Sequence, residues 1–404
     1  MTLPLLADGP APAPSRSPMA FSGRGREFMN LLIAGSLFQI PTFGFYRFWL
    51  ITRLRRHLWA HTEIAGEAFE YTGTARELLI GFLIALAILG PLYIAYAILG
   101  ILLEETYAFA SVPLVVIMYV LAHFGSYRAR KYRASRTVFR GIRFWMTGSG
   151  WPYATWAILW DVAMVLTLGL ALPWALASLE RYRMRNTYFG SIRGDFAGTG
   201  WGLFKRVWWI WLVGFAGLLG LALLVVVLTF LSPGRRALEA MAVLLTLLGM
   251  ALFPLALAIV TRWRVEGLRF GDVTTASRLR ARTCYGLFVK LVFSALGFLL
   301  AFVITVGLVG FLAARVVKDV VMASGALSWL SVGVGLVVAV GYLVALLGLG
   351  ILQRYFLGRG LWVAVVASTT ITNLESIDRA VAAGQPAGVL GEGLADALDF
   401  NVGL

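Results

Sequence analysis

The sequence predicts an all-α polytopic membrane protein with six transmembrane helices, two broken re-entrant segments and a small cytoplasmic β layer. The composition, the spacing of apolar runs and the positions of the basic residues support this prediction. The chain has 404 residues, of which 60% are hydrophobic and 14% are charged, and its mean hydropathy is +0.82. A soluble domain is about 45–50% apolar and about 25% charged. The composition therefore excludes a soluble enzyme, a disordered chain and a fibrous protein.

Apolar runs along the chain are long enough to be membrane segments, because about 20 apolar residues cross the hydrocarbon of a bilayer. The simplest interpretation is that each run crosses once. The runs are 28–50, 78–103, 108–124, 153–177, 207–231, 237–260, 285–314 and 326–352.

Arginine and lysine are concentrated in four of the loops between these runs. Loops rich in these residues stay in the cytoplasm, but single crossings throughout would separate 125–152 from 178–206. We therefore expect 28–50 and 153–177 to enter and leave on the same side, which leaves six spans and puts both termini in the cytoplasm. Eight crossings with a local exception to the rule is the alternative. The basic loops are 51–77, 125–152, 178–206 and 262–283. The connections expected to face the periplasm are 104–106, 232–236 and 315–325.

The net charge of +15 would suggest nucleic-acid binding in a soluble protein. Here most of the bases flank apolar runs, so we predict contact with the phospholipid bilayer and its anionic headgroups, and no nucleic-acid partner. The sequence leaves a homo-oligomer open. It contains no P-loop, His-Glu-x-x-His or Gly-x-Ser-x-Gly motif, so no catalytic residue and no cofactor are predicted.

The N-terminal residues 1–20 contain five prolines and no long apolar core after a basic start. We expect a disordered tail there rather than a cleavable signal peptide. Cys284 is the only cysteine in the sequence, so neither an internal disulfide nor a thiolate metal site is expected.

A shift of 125 residues overlays the first half of the chain on the second, which is typical of an internal duplication. The overlay pairs Gly23 with Gly148, Thr42 with Thr167, Gly44 with Gly169, Trp49 with Trp174 and Arg56 with Arg181. The predicted divisions are a tail at 1–20, membrane repeats at 21–145 and 146–270, a third helical hairpin at 271–352 and a cytoplasmic tail at 353–404.

A short motif recurs where apolar runs end. It is a base followed by an aromatic residue or histidine, then Thr five residues after that ring, then Gly eleven residues later. After the Thr the residues alternate in character, as in Phe69-Glu70-Tyr71 and Ile142-Arg143-Phe144, which is the period of a strand. A lone strand would leave its amides unpaired, so we expect several of them to pair into the small β layer. An arginine beside an aromatic residue also anchors a helix at the headgroups. The lipid-binding candidates are Arg56, Lys131, Tyr132, Arg181, Tyr182, Arg183 and Arg185.

At these residues the chain resembles the YjgN family of bacterial inner-membrane proteins, a family of unknown function. The likeness lies in Gly23-x-Gly25, Phe69-x-Tyr71-x-Gly73, Thr167-Leu168-Gly169 and Arg181-Tyr182-x4-Thr187, and it extends to Gly391–Asp396 near the C-terminus. The resemblance implies a location in the bacterial inner membrane and supplies no activity.

Asp161 is the only acidic residue deep within an apolar run. A carboxylate there costs roughly 2.5–3.5 kcal/mol on insertion scales, so Asp161 is a candidate proton or cation site. The alternative is a structural hydrogen bond or a pair with an arginine. Arg47, in the corresponding element of the first copy, is the candidate partner.

The two unusual runs each contain a break, at Thr42-Phe43-Gly44 and at Thr167-Leu168-Gly169. A broken helix frees backbone groups that lipid cannot satisfy. We therefore predict that 28–50 and 153–177 face each other inside the protein, with Asp161 between them. The substrate or ion candidates are Asp161, Thr42, Gly44, Thr167, Gly169 and Arg47.

His57 and His61 are four residues apart, with Glu63 and Glu67 nearby, a spacing that could hold a metal ion on a helix. The second copy has no histidine at either position. We interpret the pair as interfacial residues and predict no metal site.

Two functions remain. One is a transporter or channel for a small solute or ion, which the duplication and the broken runs favour slightly by analogy of fold. The other is a non-transporting envelope protein that binds anionic lipid or a protein partner. The acidic C-terminal residues could dock on a basic face, but a solvated tail is the simpler expectation; they are Glu375, Asp378, Glu392, Asp396 and Asp399.

Overall fold

A computed structural model of the protein describes residues 15–103, 112–231, 236–324 and 327–388. Long helices dominate these residues, as the apolar runs predict. The helices are α1 Gly25–Gln39, α2 Arg47–Ala60, α3 Ala75–Leu103, α4 Val112–Ser135, α5 Gly150–Leu166, α6 Leu172–Arg185, α7 Gly200–Leu231, α8 Arg236–Gly267, α9 Ala281–Ser324, α10 Leu327–Gln353 and α11 Gly360–Ser368, with a π-helical segment at Arg354–Arg359 and a 3₁₀ turn at Leu374–Arg379.

Short strands connect successive pairs of helices. Two-residue turns such as Arg140-Gly141 join several of them, and these two residues have φ angles of 50° and 73°, as tight hairpins require. The strands are β1 Arg16–Phe21, β2 Thr62–Ile64, β3 Glu67–Ala68, β4 Glu70–Tyr71, β5 Thr137–Phe139, β6 Ile142–Met146, β7 Thr187–Phe189, β8 Ile192–Phe196, β9 Leu268–Phe270, β10 Val273–Ser277 and β11 Thr369–Thr372.

The strands form one antiparallel sheet in the order β3-β2-β1-β11-β10-β9-β8-β7-β6-β5-β4. Its two ends, β3 and β4, are separated along the chain only by Phe69, so the sheet almost closes into a barrel. The N-terminal strand pairs with the C-terminal strand, with Arg16 opposite Thr372 and Pro18 opposite Thr370. The prediction of a small β layer is therefore wrong about the size of the sheet. Near-closure satisfies strand edges that a small open layer would leave unpaired.

Residues 16–20 also depart from the expected disordered tail, because they belong to β1. A strand with its own partners on both sides is ordered by the ladder hydrogen bonds. Here β1 lies between β2 and β11. Proline is tolerated in this strand at Pro18, where it faces Thr370.

Each consecutive pair of helices leaves the sheet and returns to it. Strands from all four basic loops share this sheet, so these loops lie on one side of the helices. Helices α1 and α2, and likewise α5 and α6, are short hairpins whose outer ends both meet the sheet. Both ends of each of these two hairpins therefore lie on the side of the helices that carries the sheet.

Most helices pack on their neighbours along the chain, and α10 contacts α1. Helices α3 and α4 meet at Glu77, which accepts hydrogen bonds from Tyr132 and Arg136 and completes the ring. Among the described residues, five helices are long and apolar enough to cross a membrane: Ala75–Ile98, Gly200–Val227, Met241–Gly267, Ala281–Phe311 and Val337–Ser368. The molecule is thus a polytopic membrane protein. The expected sixth span, 108–124, begins outside the described residues and continues into the basic half of α4.

The interior of the barrel is filled by apolar side chains. Aromatic rings make successive contacts there, with centroid distances of 4.7 Å between Phe69 and Phe139 and 4.8 Å between Phe144 and Phe189. The residues buried in this cluster are Ile64, Phe139, Phe189, Val273, Ile371, Leu374 and Ile377. The space enclosed by the sheet is therefore a packed hydrophobic core.

Candidate functional site

The two Thr-x-Gly breaks form tight turns at the exposed tips of the short hairpins. Thr42 Oγ1 donates to the carbonyl of Phe38 at 2.7 Å and accepts the N–H of Tyr46 at 3.1 Å. Thr167 repeats both bonds at 2.7 and 3.0 Å. Gly44 and Gly169 have φ angles of 85° and 88°, which glycine adopts without a steric penalty.

These bonds and φ angles give Thr42, Gly44, Thr167 and Gly169 a structural role in the turns. The turn itself satisfies the backbone groups, so no buried ligand is needed. Phe43, in the middle of the first turn, is 93% exposed. The breaks are thus apolar tips rather than buried irregular elements.

Asp161 lies between α5 and α4. Its carboxylate is 3.0 Å from His123 Nε2 and accepts a hydrogen bond from the hydroxyl of Tyr119. The expectation that Asp161 faces the other broken run is wrong, because α5 packs on α4 and α6 while α1 packs on α2 and α10. His123 and Tyr119, one helical turn apart on α4, are the partners that sequence reasoning did not connect with Asp161.

Arg47 is not the partner of Asp161. Its guanidinium lies over the rings of Phe48 and Phe82, at 5.0 and 4.8 Å from their centroids. A cation over an aromatic face is stabilised by the ring quadrupole, so this arginine packs against α3.

The recurrent base-to-glycine motif has a specific structural role. Arg56 donates to the carbonyl of Gly73 at 2.9 Å, Lys131 to Gly148 at 3.2 Å and Arg181 to Gly198 at 3.1 Å, each across 17 residues. The base thereby fastens the end of one helix to the start of the next. Arg359, at the end of the π-helical segment, makes the corresponding bond to the carbonyl of Gly23 just before α1, at 2.8 Å.

Two of the lipid-binding candidates are buried in polar networks. Tyr132 is fully buried and donates to Glu77 at 2.8 Å. Arg183 is 3.2 Å from Glu180 and donates to the hydroxyl of Tyr153. The Tyr132 hydroxyl and the two terminal nitrogens of Arg183 are thus engaged by groups of the protein itself.

Glu180 is the centre of this buried network. Its side chain is 6% exposed and lies 2.7 Å from Arg130. Burial would raise the pKa of Glu180, but the positive charges of Arg130, Arg183 and Arg264 outweigh burial and hold the pKa at about 2. Glu180 is thus ionised and serves as the counter-ion of three arginines.

A basic cleft of about 340 Å³ lies on the outer face of the α5–α6 hairpin. Its lining combines the apolar side chains of Trp156 and Leu179 with three arginines, a tyrosine and an asparagine. The lining residues are Trp156, Ser178, Leu179, Arg181, Tyr182, Arg185, Asn186 and Arg193. Three of these, Arg181, Tyr182 and Arg185, are lipid-binding candidates from the sequence. The sequence motif did not identify the others, because Trp156 lies in α5, Asn186 caps α6 and Arg193 lies in β8.

The carboxylate of Asp195 occupies Arg185 and would compete with a bound anion for it. Arg185 Nε is 3.0 Å from Asp195, and both side chains are 55% exposed. The hydrogen bond from Arg185 lowers the pKa of Asp195, so this pair is ionised at neutral pH. Arg193 donates to the carbonyl of Arg185 at 2.8 Å, which holds the Arg193 guanidinium at the C-terminal end of α6.

The C-terminal segment 374–384 docks on the barrel. Arg140 bridges Asp378 at 2.6 Å and Glu67, and the N–H of Val381 donates to Ser191 at 3.1 Å. The expectation of a solvated tail is wrong for this part, because apolar and charged contacts both hold it. Glu392, Asp396, Asp399 and the motif 391–396 lie outside the described residues.

Comparison with known proteins decides the family. A family model described as "Bacterial protein of unknown function (DUF898)" matches residues 16–242, more than half of the chain. The chain belongs to this family.

DUF898 membership agrees with similarity to two curated proteins named "Inner membrane protein YjgN". The chain is 24% identical to the one from Escherichia coli O157:H7 over 157 residues, covering 39% of the chain and 37% of that protein. It is 26% identical to the one from Escherichia coli strain K12 over 136 residues, covering 32% and 31%. The matches thus span about a third of the length of these relatives. They confirm the resemblance to the YjgN family and support a location in the bacterial inner membrane. No solved structure matches this DUF898 chain.

Proposed function

We propose that this protein is an inner-membrane protein that binds anionic phospholipid through the cleft of the α5–α6 hairpin. The observation that carries the proposal is the mixed lining of the cleft. Trp156 and Leu179 offer apolar surface, and Arg181, Arg185 and Arg193 offer positive charge. A phospholipid has a complementary part for each, an acyl chain and a phosphate.

The proposed topology fits this role. The sheet and the basic loops would face the cytoplasm, where anionic headgroups attract lysine and arginine. The short hairpins would dip into the bilayer without crossing it, since α1 has 15 residues and rises only about 22 Å at 1.5 Å per residue. Six spans would then remain.

Lipid binding should be tested with the full chain in detergent and phosphatidylglycerol as the probe, measured by native mass spectrometry. Each base at an anionic surface contributes on the order of 1 kcal/mol, so Arg193→Ala should weaken binding about fivefold. Asp195→Asn should strengthen it, because it frees Arg185 for the phosphate.

Arg206→Ala provides the matched control. Arg206 is also partly exposed and paired with a carboxylate, Glu266, at 2.8 Å, but it lies outside the cleft. Equal losses for Arg193→Ala and Arg206→Ala would show attraction to charge in general and would contradict a specific site. No change in Asp195→Asn would contradict the competition between Asp195 and phosphate.

A proton- or cation-coupled transporter is the second candidate, and the Tyr119–Asp161–His123 cluster favours it. The 3.0 Å contact between Asp161 and His123 Nε2 joins a carboxylate and an imidazole, two groups that can each carry a proton. Asp161→Asn should abolish ion-driven uptake in proteoliposomes and leave phosphatidylglycerol binding unchanged. Unchanged transport, or a loss of folding alone, would assign Asp161 a structural role.

A further inference from the structure

A cluster of potential metal ligands lies where the first hairpin meets the sheet. Ligand atoms of Glu27, His57 and His61 all lie within 4.8 Å of one another. Glu27 is in the first turn of α1, His57 is in the last turn of α2 and His61 caps α2. The carboxylate near the two histidines is therefore Glu27, which is remote from them in the sequence.

The glutamates suggested by the sequence spacing are engaged elsewhere. Glu63 accepts a hydrogen bond from Ser22 at 2.8 Å. Glu67 accepts one from Arg140. Among the described residues, neither carboxylate belongs to the group of ligand atoms around the histidine pair.

The two histidines are oriented as metal ligands commonly are. His61 Nδ1 is 2.7 Å from the backbone carbonyl oxygen of His57, which makes Nδ1 the protonated nitrogen and leaves the lone pair on Nε2. A hydrogen bond of this type fixes the tautomer and the orientation of metal-binding imidazoles. The imidazole rings lie 4.3 Å apart, centroid to centroid.

His57 has a buried ring nitrogen that no protein group satisfies. Its Nε2 has no hydrogen-bond partner among the described residues. A buried polar atom left unpaired costs about 1–3 kcal/mol, and a metal ion would remove that cost.

The third group of the cluster is a carboxylate. Glu27 is available as an anionic ligand, because its contact with the exposed Arg24 is 4.0 Å long.

We propose that Glu27, His57 and His61 bind one divalent transition-metal ion of the zinc type. Two imidazole nitrogens and one carboxylate oxygen suit such an ion, with a fourth position for water. The ion would join α1 to the end of α2 beside β1, where Ser22 donates to the carbonyl of His61 at 3.0 Å. Bound metal would therefore stabilise the closure of the sheet at the N-terminal strand.

The test uses the purified full chain in detergent, with Zn²⁺ alone for calorimetry and thermal melting and Co²⁺ for visible absorption. Wild-type protein should bind one Zn²⁺, melt at a higher temperature with Zn²⁺ and give a tetrahedral Co²⁺ spectrum. His57→Gln and His61→Gln should each weaken binding about 10-fold or more, since even outer-shell changes have effects of this size. His123→Gln is the matched control, because His123 is the remaining histidine of the sequence and should bind as the wild type does.

Glu27→Gln keeps the proposal falsifiable if a histidine variant fails to fold. Glu27 is half-exposed, so its substitution leaves the packing intact and should still weaken Zn²⁺ binding. Wild-type affinity in Glu27→Gln would overturn the proposed ligand set. Absence of saturable binding to the wild type, or an equal loss in His123→Gln, would overturn the site.

Discussion

Replacing Glu180 by glutamine should destabilise the protein by several kilocalories per mole. The pKa of Glu180 falls from 4.5 to about 2 in the folded protein. At about 1.4 kcal/mol per pH unit, this difference corresponds to about 3 kcal/mol of stability at neutral pH. The value agrees with the roughly 3–5 kcal/mol lost when one partner of a buried ion pair is removed. Glutamine keeps the shape and leaves Arg130 and Arg183 without their counter-ion.

The loss can be measured as a change in melting temperature in detergent. An unfolding entropy of about 2.1 cal/mol/K per residue gives about 0.85 kcal/mol/K for a chain of this length, and hence a fall of about 4 °C. Glu266→Gln is the control, because Glu266 also meets two arginines, at 2.7 and 2.8 Å, but these are about half exposed. Exposed pairs contribute about 0–1 kcal/mol, so the control should fall by about 1 °C or less.

The pH dependence provides a second check. A carboxyl group whose pKa is lowered by folding contributes stability above its unfolded pKa, and loses it as pH falls through its folded pKa. The difference between wild type and Glu180→Gln should therefore be constant above about pH 5.5 and shrink between pH 4.5 and about pH 2. Equal melting temperatures at pH 7, or a difference that grows on acidification, would refute the assignment of Glu180 as a buried counter-ion.

Three further outcomes are expected. Gly44→Ala should lower stability by about 1–2 kcal/mol, measured by thermal melting, because its φ of 85° is strained for any side chain although the site has space. Gly190→Ala should release the C-terminal segment to limited proteolysis, since the added Cβ would lie 2.4 Å from the carbonyl oxygen of Val381; equal protection would show that the segment adapts. Ser191→Cys in a Cys284→Ser background should react with a membrane-impermeant maleimide only from the cytoplasmic side, and periplasmic labelling would reverse the proposed topology.

The recurrent motif shows what sequence reasoning could predict. The spacing of base, ring, threonine and glycine located the ends of the helices and the strands that follow, because each residue acts locally. Thr62 and Thr187, for example, both donate to the carbonyl four residues earlier, at 2.7 and 2.8 Å. Patterns fixed by contacts within one or two turns can be recognised in a single sequence.

Contacts between side chains that are far apart in the sequence could not be predicted in this way. Asp161 meets His123 from another helix, and Glu27 meets His57 although 30 residues of chain separate them. Arg183 has the same local context as its neighbours Arg181 and Arg185, yet only it turns inward to Glu180. Periodicity indicates that a side chain lies on one face of a helix, but it does not identify the element packed against that face.

The pairing of β1 with β11 has a consequence for biosynthesis. Strand β1 lacks one strand neighbour until Thr369–Thr372 has been synthesised, and the bond between Arg359 and Gly23 spans 336 positions. Pairing of β1 with β11 is therefore a late step in folding with a large loop-closure entropy. Because β1 and β11 are neighbours in the finished fold, a linker that joins them should permit circular permutation, with new termini opened in a connection between two other helices.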